Sequence, residues 1–184
     1  MTWIITYTGS RFDLIQPDPA SIHPTDIAHA LAQQCRFNGH CAPHYSVAQH
    51  SYFVADLVPK EHQLAALLHD ATEAYIGDMV RPLKELLPDF RQIEAVIWSA
   101  ICERFDLDEQ LPAEVKRADL IALATERRDL MPFHQDEWGC LEGIEPHQAP
   151  ISPWSAADAR YHFHRRLLEL LRISVNVTER FANT

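Results

Sequence analysis

Glycine is scarce in this sequence, with five residues in a chain of 184. No G-x-x-x-x-G-K-[ST] loop and no G-x-G-x-x-G turn occurs, and neither Ser46 nor Ser51 lies in a glycine pattern typical of a nucleophile elbow. Those motifs place backbone N–H groups or a serine hydroxyl against a bound substrate. Their absence disfavours P-loop, dinucleotide-binding and serine-hydrolase folds.

Basic residues are also few, and acidic residues outnumber them. The chain has 16 Lys and Arg against 26 Asp and Glu, which gives a formal net charge of −10. A surface of that sign repels a phosphate polymer, so we expect no nucleic-acid polymer among the partners. A small phosphorylated ligand held by a few local cations remains compatible with this charge.

Long apolar runs are missing as well. No stretch approaches 18 apolar residues, and the first residues lack the basic segment and apolar run of a signal peptide. The sequence therefore predicts a soluble, cytoplasmic protein with no membrane partner. Four cysteines, none of them in a Cys-x-x-Cys pair, are expected to be free thiols: Cys35, Cys41, Cys102 and Cys140.

The hydrophobic pattern predicts one all-α domain over residues 1–184 that begins with a short β-hairpin. Gly9 and Ser10 separate two β-prone runs. Apolar residues then recur at helical spacing, and one helix is expected from Lys60 to about Ala74. The predicted segments are a hairpin at 1–16, a helical core at about 24–131, a long loop at 132–153 and a C-terminal helix at about 155–172.

Two histidines and two aspartates are candidate metal ligands, and each falls inside a predicted helix. Adjacent helical residues point about 100° apart, so His69 and Asp70 can reach one ion over the same helix edge. His50 and Asp119, from neighbouring helices, would complete the set. These ligands suit one divalent ion per chain, such as Mn, Co, Zn, Mg or Fe. A His-Asp pair alone is common on surfaces, but this one ends an apolar helix, where an unsatisfied charge is costly.

The order of these residues resembles the HD-domain family of metal-dependent phosphohydrolases. The matching segments are QHS at 49–51, LHDATEA at 68–74, GD at 77–78 and KRAD at 116–119. The resemblance spans about residues 25–171 and is strongest to small bacterial 5′-deoxyribonucleotidases and to phage and bacterial deoxynucleoside triphosphohydrolases, including dATP-specific ones. It implies a compact helical bundle whose metal ligands are His50, His69, Asp70 and Asp119.

The resemblance also implies catalytic roles for two acidic residues. Glu73 would be the acid/base that handles the attacking water, and Asp78 matches the second acidic position of the family. Helical spacing supports Glu73 independently, because it lies four residues after His69 and three after Asp70 on one face. The alternatives remain open: Glu73 as an exposed helix charge, and Asp78 as the cap of a helix over 80–87.

Four residues near these motifs are candidates for substrate binding. Lys116 lies three residues before Asp119 on the same predicted helix face, and Lys84 follows the His-Asp pair in the RPLK segment. Arg36 resembles the phosphate-binding arginine that precedes the first metal histidine in the nucleotidases. Phe37 stands where that family commonly has tryptophan, and it can still stack on a base. Each cation alone is more typical of a solvated surface charge.

These features together predict hydrolysis of a phosphate ester in a 2′-deoxynucleotide. Three cations could span a phosphate chain, which favours a dNTP triphosphohydrolase of the dATP type that releases deoxynucleoside and triphosphate. A 5′-deoxyribonucleotidase acting on dNMP is the alternative. An HD-type di-iron oxygenase needs extra histidines, and residues 71–118 contain none. An inactive nucleotide-binding module is a further alternative, and the resemblance implies a homo-oligomer.

Overall fold

A two-stranded hairpin opens the chain and helices follow it in the computed structural model, which describes the backbone of residues 1–182 and side chains through residue 172. The predicted all-α class with a short N-terminal hairpin is confirmed. No described helix is long and apolar enough to cross a membrane. The elements are β1 (Trp3–Ile5), β2 (Arg11–Asp13), α1 (Pro24–Gln33), α2 (Val47–Asp56), α3 (Gln63–Leu68), α4 (Glu73–Ile76), α5 (Arg81–Leu86), α6 (Pro88–Phe105), α7 (Ala113–Leu130) and α8 (Ala156–Ala182).

The hairpin contributes one aromatic ring to the helical core. Its strands pair antiparallel, with Ile4 opposite Phe12. Gly9 makes the turn at a φ of 83°, in the left-handed region where a side chain would strain the backbone. Phe12 is fully buried, and its ring stacks on that of Tyr75 in α4 with centroids 3.8 Å apart. The hairpin therefore covers the end of the core near α4.

Helix α2 lies among α1, α3, α7 and α8 and contacts all four. Ser46 caps its N-terminus, because the Ser46 hydroxyl accepts a hydrogen bond from the Gln49 N–H at 3.2 Å. Val47 and Val54 are fully buried in the main core. His50 is also fully buried on this helix. A polar ring in that position requires specific partners to offset its lost hydration.

The prediction of one continuous helix from Lys60 to about Ala74 is wrong, because the helix is interrupted at the candidate metal ligands. His69 and Asp70 lie in the turn between α3 and α4, not inside a helix. The Nδ1–H of His69 donates to the carbonyl of Ala66 at 2.7 Å, which is the acceptor that the Asp70 N–H would reach in a continuous α-helix. The N–H of Glu73 bonds to the Asp70 carbonyl, three residues back, at 3.1 Å. Bonds of this kind tighten the chain to about three residues per turn.

The segment at 132–153, predicted as a loop, contains one short 3-10 turn at Gly139–Leu141 and no α-helix or strand, and α2 holds its C-terminal end. The Gln49 side chain donates to the carbonyl of Ser152 and accepts from the N–H of Trp154, both at 2.8 Å. Helix α8 then runs beyond the predicted end near 172. The tethered loop brings one of its tryptophans to the site described below.

Candidate metal centre

Two histidine rings from different elements point their Nε2 atoms at one place. His50 lies on α2, and His69 follows the end of α3. Their Nδ1 atoms donate hydrogen bonds, from His50 to Glu126 Oε1 at 2.6 Å and from His69 to Ala66 O at 2.7 Å. Both Nε2 atoms are buried and have no hydrogen-bond partner. This arrangement is typical of metal-binding histidines, whose outer nitrogen is fixed by a hydrogen bond.

Two carboxylates face the same Nε2 atoms. Asp70 Oδ2 lies 3.5 Å from His50 Nε2 and 3.3 Å from His69 Nε2. Asp119 Oδ1, on α7, lies 3.2 Å and 3.9 Å from the same two atoms. Ligand atoms at about 2.0–2.2 Å from a shared ion lie roughly 3–3.5 Å apart. The group of His50, His69 and Asp119 could therefore hold a metal ion, and Asp70 faces the same point.

The charges of this cluster favour a cation. Burial and Arg36 oppose a charged His50 ring, but Glu126 and Asp119 outweigh them and raise the pKa of His50 to about 9. Burial would raise the pKa of Asp119, but the nearby His50 and His69 rings hold it below its usual value. The carboxylates therefore draw positive charge to the Nε2 position. A divalent ion would supply that charge directly.

Glu126, which the sequence analysis missed, links the cluster to an arginine. It is fully buried on α7. Its Oε1 accepts from His50, and its Oε2 lies 3.1 Å from both Nε and Nη2 of Arg36. Burial would raise the pKa of Glu126, but Arg36 and His50 lower it. The available signal was its position seven residues after Asp119, two turns along the same face of a helix.

Arg36 lies in the segment that leads from α1 towards α2. Its N–H donates to the carbonyl of Tyr45 at 2.9 Å, and its Nη1 lies 3.6 Å from Asp70 Oδ2. The side chain is only 11% exposed. Burial would lower the pKa of Arg36, but Glu126 and Asp70 raise it above its usual value. The guanidinium therefore stays charged beside the histidines and aspartates.

A cavity of about 600 Å³ opens over Arg36 and the aspartates. Phe37 lines one side, and its ring lies 6.3 Å from that of Trp138, tilted by 47°. Trp138, from the loop after α7, was not singled out in the sequence. Leu120 and Leu123 of α7 extend the apolar wall. The cavity thus combines a charged floor with walls suited to a planar ring.

Glu73 and Asp78 both line this cavity, and Gln34 holds the turn between them. Gln34 donates to the Glu73 carbonyl and accepts from the Asp78 N–H, both at 2.8 Å. Glu73 is buried with one unpartnered carboxyl oxygen. Burial, together with the charges of Asp70 and Asp78, raises the pKa of Glu73 well above its ordinary value. Burial also raises the pKa of Asp78, and Asp78 is not a helix cap, since Val80 precedes α5.

The predicted lysines do not line the cavity. Lys84 donates to Glu94 Oε1 at 2.7 Å, and Lys116 is exposed on α7. Arg81, at the start of α5, does line the cavity, although its Nε lies 3.3 Å from Glu85 Oε1. Among the residues that the structure describes, the cavity wall therefore contains two arginines, Arg36 and Arg81, and no lysine.

Comparison with other proteins identifies relatives of this chain. No protein-family model matches the sequence. The uncharacterized protein YfdR of Escherichia coli K12 is 47% identical over 146 residues, which cover 78% of this chain and 81% of YfdR. An uncharacterized protein of Rhodobacter capsulatus is 36% identical over 149 residues, which cover 73% of this chain and 76% of that protein. The chain belongs to the same family as YfdR.

Proposed function

We propose that this protein is an HD-domain phosphohydrolase that uses one divalent metal ion per chain to hydrolyse a phosphate ester bond in a 2′-deoxynucleotide. The observation that carries the proposal is the pair of buried, unpartnered Nε2 atoms of His50 and His69 that face Asp70 and Asp119. The order of the sequence motifs supports the same family. A cavity of about 600 Å³ over this cluster is of a size typical for a small-molecule site.

In this proposal His50, His69, Asp70 and Asp119 hold the ion. When bound, such an ion polarises a phosphoryl oxygen and lowers the pKa of a water molecule. Nε and Nη2 of Arg36 bind Glu126, whereas Nη1 lies 3.6 Å from Asp70 Oδ2 and would donate a charged hydrogen bond to the same phosphoryl group. The walls formed by Phe37 and Trp138 would receive the base.

Glu73 is the residue that we assign to proton transfer. It follows Asp70 by three residues in the tightened turn, so the two side chains lie on one side. Its raised pKa suits a carboxyl group that both accepts and returns a proton. Glu73 would take a proton from the attacking water and deliver it to the leaving oxygen. Asp78, on the same wall, would accept a hydrogen bond from that water.

The distribution of cations supports a nucleoside monophosphate better than a triphosphate. Four carboxylates line the cavity. Among the described residues, two arginines and no lysine line it with them: Arg36 and Arg81. Each further phosphoryl group adds negative charge that needs a cation. Lys84 is already paired with Glu94, and Lys116 lies outside the cavity wall. We therefore favour 5′-deoxynucleotidase activity on dNMP.

A dNTP triphosphohydrolase of the dATP type is the second candidate, and Lys84 favours it. Burial would lower the pKa of Lys84, but Glu94, Glu73 and Asp70 raise it. The lysine is thus within electrostatic range of the proposed centre. If Lys84 exchanged Glu94 for a phosphate, the site could hold a longer phosphate chain.

The test combines metal analysis with identification of the products. The protein is stripped with a chelator, reloaded with Mn, Co, Zn, Mg or Fe, and incubated with the four dNMPs and the four dNTPs. We expect about one ion per chain and release of inorganic phosphate from dNMP. Release of triphosphate from dNTP would instead support the second candidate. Failure of every ion to bind, or nucleotide binding without hydrolysis, would refute the proposal. Light scattering on the same sample tests the homo-oligomer that the family resemblance implies.

A further inference from the structure

Two thiols lie in contact on either side of the residues that enter the cavity. Cys35 Sγ and Cys41 Sγ are 3.5 Å apart, and both are free. The five residues between them include Arg36 and Phe37. The backbone of Cys35 is anchored by a bridge to Ser46. The contact between the thiols therefore closes the loop that presents the arginine and the aromatic ring.

The two thiols differ in their exposure. Cys35 is half-buried, whereas Cys41 is buried against Tyr45 and Leu130 and directs its thiol at the Arg36 carbonyl, 3.7 Å away. Burial raises the pKa of the Cys41 thiol. An external reagent therefore reaches Cys35 first, and Cys41 lies in position to react with whatever forms there.

We propose that Cys35 and Cys41 form a dithiol site that a small disulfide such as oxidised glutathione converts to an intrachain disulfide. The Cys35 thiolate attacks one sulfur of the glutathione disulfide, breaks its S–S bond and releases one glutathione thiolate. The Cys41 thiolate then attacks Cys35 Sγ, forms the new S–S bond and releases the second glutathione. The protein loses two protons and two electrons, and the glutathione disulfide gains them.

Formation of this bond changes the loop that carries the cavity residues. The sulfur atoms must approach from 3.5 Å to about 2.05 Å. Phe37 and Asn38 have positive φ values of 57° and 52°, and non-glycine residues persist in that region only while their surroundings hold them there. Closing the disulfide is therefore expected to shift Phe37, which belongs to this strained pair, and Arg36, which precedes it. The consequence for substrate rests on the proposed function, whereas the disulfide itself does not.

The disulfide is tested on the full chain in glutathione buffers of increasing oxidised fraction. We expect the wild type to lose two thiols and to yield a peptide that links Cys35 to Cys41. Cys41→Ser should stop at the mixed disulfide of Cys35 with glutathione, and Cys140→Ser, which removes an exposed thiol, should still form the link. Wild-type thiols that stay free in fully oxidised glutathione, or a link from Cys35 to Cys140, would overturn the proposal.

A second measurement tests the effect on the cavity. We expect oxidation of the metal-loaded wild type to lower kcat/KM at least ten-fold, with recovery in dithiothreitol and no response to oxidant in Cys35→Ser. A disulfide that forms without changing kcat/KM would overturn the link to Arg36. If no nucleotide is hydrolysed in either redox state, the proposed function fails, and the peptide map still decides whether the dithiol site exists.

Discussion

The Nδ1 of His50 lies 2.6 Å from the Oε1 of Glu126, and this fully buried pair connects two parts of the site. The other oxygen of the same carboxylate lies 3.1 Å from Nε of Arg36. One carboxylate thus orients a candidate metal ligand and the candidate phosphate-binding arginine together. Arg36 is a cation, and His50 becomes one when it is protonated. The negative charge of Glu126 is therefore compensated within the core.

Glu126→Gln should therefore weaken metal binding without removing a ligand. Glutamine keeps the shape, but it leaves Arg36 with less compensating charge and removes a charged acceptor from His50 Nδ1. We expect metal affinity to fall by about 10–100-fold, the range for partners of metal-binding histidines. Titration of the metal-free protein with Mn or Zn measures this effect. An unchanged affinity would show that the contact to Glu126 does not orient His50.

A double variant tests whether Arg36 and Glu126 compensate each other's charge in the core. Breaking a buried ion pair from one side costs about 3–5 kcal/mol, mainly because a charge remains unpaired. Thermal unfolding should therefore show that Glu126→Gln with Arg36→Met is less destabilised than the sum of the two single variants. Simple additivity would mean that Arg36 and Glu126 stabilise the fold independently.

Asp119→Asn and Asp70→Asn should each lose the metal. Both changes keep the shape but remove a charged ligand facing the unpartnered Nε2 atoms. Wild-type protein should gain about 2.7 kcal/mol of stability at an ion concentration 100 times its Kd, and the variants should gain little. Glu103→Gln, which removes an exposed carboxylate of α6, is the control. Full metal content in Asp70→Asn would remove Asp70 from the ligand set.

Glu73→Gln should slow turnover by about 100-fold or more while the metal remains bound, because only proton transfer is lost. Steady-state kinetics and metal analysis of one preparation measure both quantities. A normal kcat would assign Glu73 a structural role only. The intact metal content distinguishes this variant from the two ligand variants above.

The raised pKa of Glu73 also predicts a pH effect on stability. The folded protein holds this proton more tightly than the unfolded chain, whose glutamates titrate near about 4.3. The resulting stability is complete below that pH and is lost as the pH rises through the raised pKa. Metal-free Glu73→Gln should therefore lose less Tm than the wild type between pH 5 and pH 8. If the Tm of both proteins fell equally over this pH range, burial would not oppose ionisation of Glu73 as inferred here.

The cations separate the two candidate substrates. Arg36→Lys should lower kcat/KM for dAMP about 10–100-fold, since a charged hydrogen bond contributes about 1.5–3 kcal/mol. Lys84→Ala and Lys116→Ala should change it less than about three-fold, as should the exposed control Lys60→Ala. If the Lys84 and Lys116 variants instead lowered kcat/KM for dATP far more than for dAMP, the triphosphohydrolase would be favoured.

The two aromatic walls should contribute to all nucleotides alike. Phe37→Ala and Trp138→Ala remove rings that line the cavity, and base stacking contributes about 1–3 kcal/mol. We expect kcat/KM to fall by a similar factor for dAMP, dGMP, dCMP and dTMP. Phe133→Ala is the control, because that ring is 95% exposed on the same loop. An effect of the control as large as that of Trp138→Ala would point to a general change of the loop.

Local chemistry determined much of this structure from the sequence alone. Gly9 predicted the hairpin turn because it tolerates a positive φ, and the cap of α2 is equally local, since the Ser46 hydroxyl accepts from an N–H three residues along. His50, His69 and Asp119 were found by residue type and order, since few side chains bind divalent ions. Each of these rules operates within a few residues of the chain, or on the chemistry of one side chain.

Only the tertiary structure decided which groups meet. Glu126 is 76 residues from His50 and 90 from Arg36 along the chain, so no spacing marked it as their shared partner. The pairing of Lys84 with Glu94 and the approach of Trp138 to Phe37 likewise depend on how helices and the long loop pack. Helical periodicity also missed the break at His69, because the ring takes a carbonyl that the backbone would otherwise use. Periodicity reports which face is apolar, whereas partners of buried polar groups are selected by packing over long sequence separations.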